Sequence, residues 1–170
     1  MNSVSPTISL RYEPIDADRE TIRRLAESTS FFRPDEVDIA VELVDARLMN
    51  GLASGYSFIF AESDRQTLGY ACYGPIGCTL GSFDLYWIIV DPAAQGQGLG
   101  RQLMQEAERL VRSAKGRRIY VETSSQPQYE PTRQFYLRCG YAIDAVLKDF
   151  YADGDDKVVL VKSLLDSSHV

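Results

Sequence analysis

The chain has 170 residues, of which 45% are hydrophobic, and its formal net charge at pH 7 is −6. This length suits one domain with a sizeable core, and no apolar run approaches the ~20 residues that a membrane-spanning helix needs. No basic block or stripe occurs, which argues against nucleic acid as a partner.

Cysteine and histidine usage bears on metal binding and on location. The chain has three cysteines, at positions 72, 78 and 139, and one histidine, His169, with no C-x-x-C motif. This argues against a metal site, and an odd number of cysteines points to reduced thiols in the cytoplasm. Residues 1–9 lack the charged start and apolar centre of a secretory signal. We predict a cytoplasmic chain with one domain over residues 1–170, of which 1–7 are flexible.

The first elements along the chain are predicted to be a strand and two helices. Residues 8–15 alternate between apolar and polar, as a half-buried strand does. Asp18 is a candidate N-cap for a helix that runs to about Thr29. Pro34 suits the first turn of a second helix, and Asn50-Gly51 ends it.

Three strands are predicted next. Residues 56–62 and 68–73 flank a turn at 63–67 and predict a hairpin. Residues 83–90 end in an apolar, β-branched run and predict a fourth, buried strand. It stops at Asp91-Pro92, because proline cannot donate to a sheet ladder.

A glycine-rich turn joins this strand to a helix. Glycines stand at 96, 98 and 100, and a helical apolar stripe then runs to about Lys115-Gly116. The first turn of a helix has unpaired N–H groups and partial positive charge, and glycine lets a ligand approach the backbone. The turn therefore predicts a phosphate or diphosphate site, to which Arg101 adds a charge-assisted contact. The spacing of its glycines is neither the G-x-G-x-x-G of dinucleotide-binding folds nor the G-x-x-x-x-G-K-[ST] of the phosphate-binding loop in ATPases.

The C-terminal part is predicted to hold a strand, a helix and two further strands. Residues 119–123 form the fifth strand, and prolines at 127 and 131 bracket the loop that follows. A helix over 132–139 stops at glycine 140. Two final strands, 141–151 and 157–164, are joined by a turn.

Two motifs and the order of the elements resemble the GNAT acetyltransferase family. Gln95, Gly98 and Gly100 fill the positions of its Gln/Arg-x-x-Gly-x-Gly/Ala motif, and the stretch from Phe135 to Tyr141 resembles its Phe-Tyr-x-x-x-Gly-Phe/Tyr motif. The resemblance implies an α/β fold with a central twisted mixed sheet of about seven strands and helices on both faces. It also implies transfer of an acetyl group from acetyl-CoA to a primary amine, with CoA as the product.

The resemblance further implies how the cofactor is bound. Main-chain amides from Gln95 to Arg101 would bind the diphosphate of acetyl-CoA, and a backbone N–H near the end of the fourth strand would face the oxyanion. The residues expected at the cofactor are Ile89, Val90, Gln95, Gly96, Gln97, Gly98, Leu99, Gly100 and Arg101.

For proton transfer, the resemblance makes Tyr136 the general acid for the CoA thiolate; its alternative role is packing. A tyrosine pKa of ~10 and a thiol pKa of ~8.5 make that step uphill by about 1.5 units, or roughly 2 kcal/mol. The base is Asp84, Glu122 or no dedicated residue. Cys139 is expected to pack, since no histidine is close in sequence and direct transfer needs no nucleophile.

The acceptor amine is left open between a small molecule and a peptide. Phe31 and Phe32 either line its pocket or plug a helix end. Tyr86 on the fourth strand and Tyr129 are further candidates; Tyr129 stands where the family often has an asparagine that contacts the CoA arm. Sheet-edge homodimers are common in the family, so a homodimer is open too. Two rival hypotheses are a non-catalytic acyl-CoA-binding or regulatory module and a nucleotide-binding protein.

Overall fold

A computed structural model describes residues 7–165. Its elements follow the predicted order. The strands are β1 (Ser9–Arg11), β2 (Ser57–Ser63), β3 (Gln66–Pro75), β4 (Ser82–Val90), β5 (Arg118–Ser124), β6 (Ala142–Ala152) and β7 (Asp155–Ser163). The helices are α1 (Asp18–Ser28), α2 (Pro34–Asn50), α3 (Leu99–Ser113) and α4 (Glu130–Arg138). Residues 1–6 and His169, which entered the sequence predictions, lie outside the described residues.

The seven strands form one mixed sheet in the order β1-β2-β3-β4-β5-β7-β6. β4 and β5 are parallel, whereas β1 with β2, β2 with β3, β5 with β7 and β6 with β7 are antiparallel. The pairing of β4 with β5 covers Ser82–Leu85 and Arg118–Val121. The predicted mixed seven-stranded sheet is confirmed.

Contacts within the chain define two compact units. Among the described residues, the first comprises 7–73 together with Trp87–Ala107. The second comprises Gly74–Tyr86 and residues 108–165. The single domain inferred from the sequence stays a prediction.

In the first unit, α1 and α2 pack on one face of β2 and β3. The buried side chains of this core are Ile22, Leu25, Ala26, Val37, Ala40, Val44, Phe58, Phe60, Tyr70, Cys72 and Ile89. Side chains alternate between the faces of a strand. Ile59, Ala61 and Ala71 therefore point to the opposite face, and all three are fully buried. Both faces of these strands are thus covered.

Asp18 does not cap α1, so that prediction is wrong. The N-cap residue is Ala17, and Asp18 is the first residue of the helix. The Asp18 carboxylate is buried and accepts hydrogen bonds from Arg11 Nη1 (2.8 Å), Arg11 Nη2 (2.9 Å) and the Ile15 N–H (2.7 Å). A buried carboxylate needs such partners, and its place in the first helical turn also favours negative charge.

Two further boundaries differ from the sequence predictions. β1 ends at Arg11 and not near residue 15, because Pro14 has no N–H for a ladder and the chain turns into α1 through an Asp18 N–H bond to the Ile15 carbonyl oxygen (2.9 Å). Pro131 does not close a loop. It lies in the first turn of α4, where proline is tolerated because that N–H has no intrahelical partner.

The second unit packs the start of β4, β5 and β7 around the end of α3. The buried side chains here include Phe83, Leu85, Val111, Ile119, Val121, Val158 and Leu160. None of the three cysteines forms a disulfide: Cys72 is buried, Cys78 is exposed and Cys139 is intermediate. Across residues 7–165, no helix combines the length and the apolar character needed to cross a membrane.

Candidate functional site

The turn from β4 towards α3 is held by hydrogen bonds of its own residues. The Asp91 N–H donates to the Leu68 carbonyl oxygen (2.8 Å), and the Asp91 carboxylate accepts from Arg24 (3.1 Å). The side-chain amide of Gln95 donates to the carbonyl oxygen of Val90 at 3.1 Å. The base of the turn is therefore fixed before the glycines begin.

Residues 95–98 are exposed, and two glycines among them adopt left-handed backbone conformations. The φ angle is +77° at Gly96 and +83° at Gly98, a region that favours glycine. A Cβ atom built at either position would meet nothing within 4 Å. Leu99 then begins α3, and the amides of a first helical turn point out of the helix end. The turn therefore presents exposed main chain with open space beside both glycines.

Ile89 and Val90 end β4, and a glycine on β3 lies directly against their main chain. A Cβ atom built at Gly69 would be 2.7 Å from the Ile89 carbonyl oxygen and 3.2 Å from Val90 Cα. Any other residue at this position would force the strands to shift apart. The sequence analysis missed Gly69, although a glycine inside a strand is a known sign of close backbone approach.

Asp84 and Glu122, the two candidate bases, lie on one face of the second unit. Asp84 is paired in register with Tyr120, and Glu122 stands two residues further along β5, so its side chain points to the same face. Asp84 is half-buried. Burial raises the pKa of its carboxyl group, the Glu122 carboxylate raises that pKa further, and Lys157 lowers it.

The two carboxylates differ in their partners. Glu122 forms an ion pair with Lys157, with Oε2 and Nζ 2.7 Å apart. No ion pair to Asp84 is found in the described part of the chain. Glu122 is therefore held as the partner of Lys157. The raised pKa of Asp84 favours uptake of a proton at that carboxylate.

Lys157, Phe150 and Tyr151 also belong to this face and were not found from the sequence. Lys157 Nζ lies 3.7 Å from the centre of the Phe150 ring and 5.8 Å from that of Tyr151. An ammonium over an aromatic face is attracted by the ring. The contact depends on the register of β6 and β7, for which no local motif exists.

Tyr136 is buried within α4, with 6% of its surface exposed. Its ring centre lies 5.5 Å from that of Phe135 and 6.1 Å from that of Tyr141. Burial, and after it the nearby Cys139, raises the pKa of the Tyr136 phenol above its usual range. The phenol is therefore protonated at neutral pH, as a general acid must be, but it gives up its proton less readily than a free tyrosine.

The four predicted acceptor residues have different surroundings. Phe32 packs edge-on against Trp87, with ring centres 5.0 Å apart, and lies against the first unit's core, so the helix-end plug describes it better than a pocket lining. Phe31 is 45% exposed and Tyr86 is 37% exposed. Tyr129 is half-buried at the end of a short 3₁₀ helix, Pro127–Tyr129.

A family model described as "Acetyltransferase (GNAT) domain" matches residues 54–143, more than half of the chain. A crystal structure described as an acetyltransferase of the GNAT family from Desulfovibrio desulfuricans has 47% sequence identity and a TM-score of 0.92. That match covers 94% of this chain and 100% of the other. A comparison with curated proteins found no match.

Two more distant structures share the fold. An aminoglycoside 6'-N-acetyltransferase complexed with coenzyme A has 20% identity and a TM-score of 0.75, over 94% of this chain and 98% of its own. An N-acetyltransferase from Thermoplasma acidophilum, in complex with coenzyme A, has 16% identity and a TM-score of 0.71, over 92% and 99%. The family model and the relative at 47% identity establish that this chain belongs to the GNAT acetyltransferase family.

Proposed function

We propose that this chain transfers an acetyl group from acetyl-CoA to a primary amine by direct attack. The observation that carries the proposal is the exposed turn before α3, where Gly96 and Gly98 leave open space beside main-chain amides. These residues fit a diphosphate, because a helix N-terminus and a glycine-rich turn together favour a bound anion. Acetyl-CoA, when bound, supplies the acetyl group as an activated thioester.

In this proposal the first unit provides the groups that bind the diphosphate and polarise the acetyl carbonyl group. Main-chain amides from Gln95 to Arg101 bind the diphosphate, and the Arg101 guanidinium adds positive charge. A backbone N–H at Ile89 or Val90 donates to the acetyl oxygen as negative charge develops there. Their side chains are core residues, so only their main chain takes part. The close approach of Gly69 to this main chain supports a fixed position for it.

Asp84 is the general base in this proposal. Its carboxylate takes a proton from the acceptor nitrogen, directly or through one water molecule. The raised pKa of Asp84 brings it closer to the working pH than an ordinary aspartate, which improves a base. Glu122 keeps its ion pair with Lys157 and serves the site as a fixed negative charge beside Asp84.

Tyr136 is the general acid in this proposal. Its hydroxyl gives a proton to the departing sulfur atom, so that CoA leaves as a thiol. The raised pKa of Tyr136 makes this donation harder than the roughly 2 kcal/mol expected for a free tyrosine. Proton donation therefore depends on how closely the hydroxyl is oriented towards the sulfur atom. That orientation depends in turn on the position of α4, the helix that carries Tyr136.

The acceptor in this proposal is a small-molecule or peptide amine. Carboxylates at Asp84 and Glu122 suit an ammonium group that approaches their face, and exposed aromatic residues such as Tyr86 can contact its apolar part. Thiols outside disulfides suit a cytoplasmic location. A homodimer remains part of the proposal, because the edge strand β6 is exposed along nearly its whole length.

Calorimetry and a thiol-release assay test the function. We expect the purified chain to bind acetyl-CoA and CoA, but not ATP or NAD, and to release thiol with at least one amine from a panel of small amines and peptides. Binding without release on any amine would support a non-catalytic acyl-CoA-binding module. Binding of ATP or NAD in place of CoA would overturn the assignment of the turn.

A further inference from the structure

Lys162 on β7 contacts residues of α3 and α4 that lie in the second unit. Lys162 Nζ lies 2.8 Å from each carboxylate oxygen of Glu108 on α3, and 2.8 Å from the carbonyl oxygen of Cys139. Glu108 is 5% exposed, and the Lys162 side chain is 24% exposed. A lysine ammonium has three N–H donors, and here three oxygens surround it.

The carbonyl oxygen of Cys139 belongs to the end of α4, the helix that carries Tyr136. Cys139 is the C-cap residue, and the last carbonyl groups of a helix lack intrahelical donors and carry partial negative charge. The chain then turns at Gly140, where φ is +88°, and the Tyr141 N–H donates to the Tyr136 carbonyl oxygen at 3.1 Å. Lys162 therefore fixes the helix end three residues from Tyr136.

Tyr141 connects the same lysine to the Tyr136 ring by packing. Lys162 Nζ lies 5.7 Å from the centre of the Tyr141 ring, which is 6.1 Å from that of Tyr136. Tyr141 is 3% exposed, so its ring cannot easily move aside. Tyr136 is thus supported both through the main chain of α4 and through a neighbouring ring.

The Glu108–Lys162 ion pair is largely removed from water, and such a pair adds little net stability, because taking both charges out of water costs about as much as their attraction returns. Apolar side chains of similar volume often stabilise such a place equally well. What the Glu108–Lys162 pair adds is a directed contact to one carbonyl oxygen, with Glu108 holding the ammonium in place.

We infer that Lys162, held by Glu108, is a positioning residue that orients the Tyr136 hydroxyl for proton donation. The inference rests on the proposed role of Tyr136 as the general acid. Neither residue belongs to the Phe-Tyr-x-x-x-Gly-Tyr motif, and each lies on a different element from Tyr136.

A paired substitution separates this role from stability. Lys162→Met alone leaves the Glu108 carboxylate buried without its ion-pair partner, which endangers folding. Glu108→Leu with Lys162→Met removes both charges and keeps the volume. We expect this double variant to fold with a melting temperature near that of the wild type. Its kcat should fall by about 10- to 100-fold, as a misplaced catalytic group does, while its KM for acetyl-CoA stays within about twofold of wild type.

A double-mutant cycle with Tyr136→Phe gives the decisive readout. If the pair acts through the Tyr136 hydroxyl, its removal should lower kcat no further once that hydroxyl is absent. The control is Lys148→Met, which removes an ion pair between the exposed Lys148 and the half-buried Asp156 and should leave kcat unchanged in both backgrounds.

The outcomes are distinct. An equal fall in kcat with and without the Tyr136 hydroxyl would show a general structural effect and overturn the inference alone. Wild-type kcat in the Glu108/Lys162 double variant would also overturn it. Wild-type kcat in Tyr136→Phe would overturn the proposed acid together with the inference, whereas loss of kcat there with a non-additive cycle would support both.

Discussion

Gly69→Ala tests whether the close approach of β3 to the end of β4 matters for both fold and activity. The added Cβ would lie 2.7 Å from the Ile89 carbonyl oxygen, whereas C···O contacts between strands are about 3.3–3.6 Å. One strand must therefore move by at least about 0.6 Å. Overpacking of this kind costs about 1–3 kcal/mol, which in a chain of 170 residues lowers the melting temperature by roughly 2–12 °C.

The same movement displaces the main chain of Ile89 and Val90, so kcat should fall by about 10- to 100-fold. Urea unfolding with linear extrapolation measures the loss of stability, and steady-state kinetics measure kcat. Gly77→Ala is the matched control, because Gly77 lies in an exposed turn with nothing within 4 Å of its added Cβ and without a positive φ. If Gly69→Ala were as stable and as active as Gly77→Ala, the argument from strand approach would be refuted.

Three further predictions concern the proposed chemistry. Tyr136→Phe keeps the ring but removes the proton donor, so kcat should fall by about 10²- to 10⁴-fold while calorimetry shows nearly unchanged binding of acetyl-CoA; an undiminished kcat would contradict the acid role. Because burial and Glu122 raise the pKa of Asp84, a base at this position becomes active as the pH rises through that raised value. The wild-type kcat/KM should therefore increase with pH there. Asp84→Asn should abolish this limb of the pH profile and Glu122→Gln should retain it; a limb that persists in Asp84→Asn would exclude Asp84 as the base. Gly98→Ala places a Cβ on the open side of the turn at φ +83°, so the Kd for CoA should rise by about tenfold or more, equivalent to about 1.4 kcal/mol, and an unchanged Kd would argue against diphosphate binding at this turn.

The order of the elements could be predicted because each element has a local pattern. The helical spacing of Ile22, Leu25 and Ala26 identifies the buried face of α1, and all three are fully buried. The beginning of that helix could not be predicted as reliably. Aspartate is a common N-cap, but the partner of Asp18 is Arg11 on another element, and an ion pair between elements has no signature in the local sequence.

The candidate site likewise combines residues that a local sequence pattern indicates with residues that only contacts between elements bring together. Gly96, Gly98 and Tyr136 lie in motifs that are contiguous in the chain, so their residue types and spacing indicate them directly. Lys157 and Lys162 instead reach Glu122 and Glu108 across strand pairings and helix packing. Such contacts require the register of β5 with β7, which places Glu122 opposite Val159. No short turn joins these two strands to fix that register, because α4 and β6 lie between them in the chain.

The unequal exposure of the three thiols has a practical consequence for measuring turnover. Cys78 is at the surface, whereas Cys72 is buried and its pKa is raised by that burial. A chromogenic disulfide that counts liberated CoA will also react with the accessible protein thiol, because access and thiolate formation govern this exchange. Progress curves should therefore begin with a rapid colour change of about one equivalent of enzyme from Cys78, followed by a slower reaction of the half-exposed Cys139. Cys78→Ser should remove the rapid step without altering the steady slope.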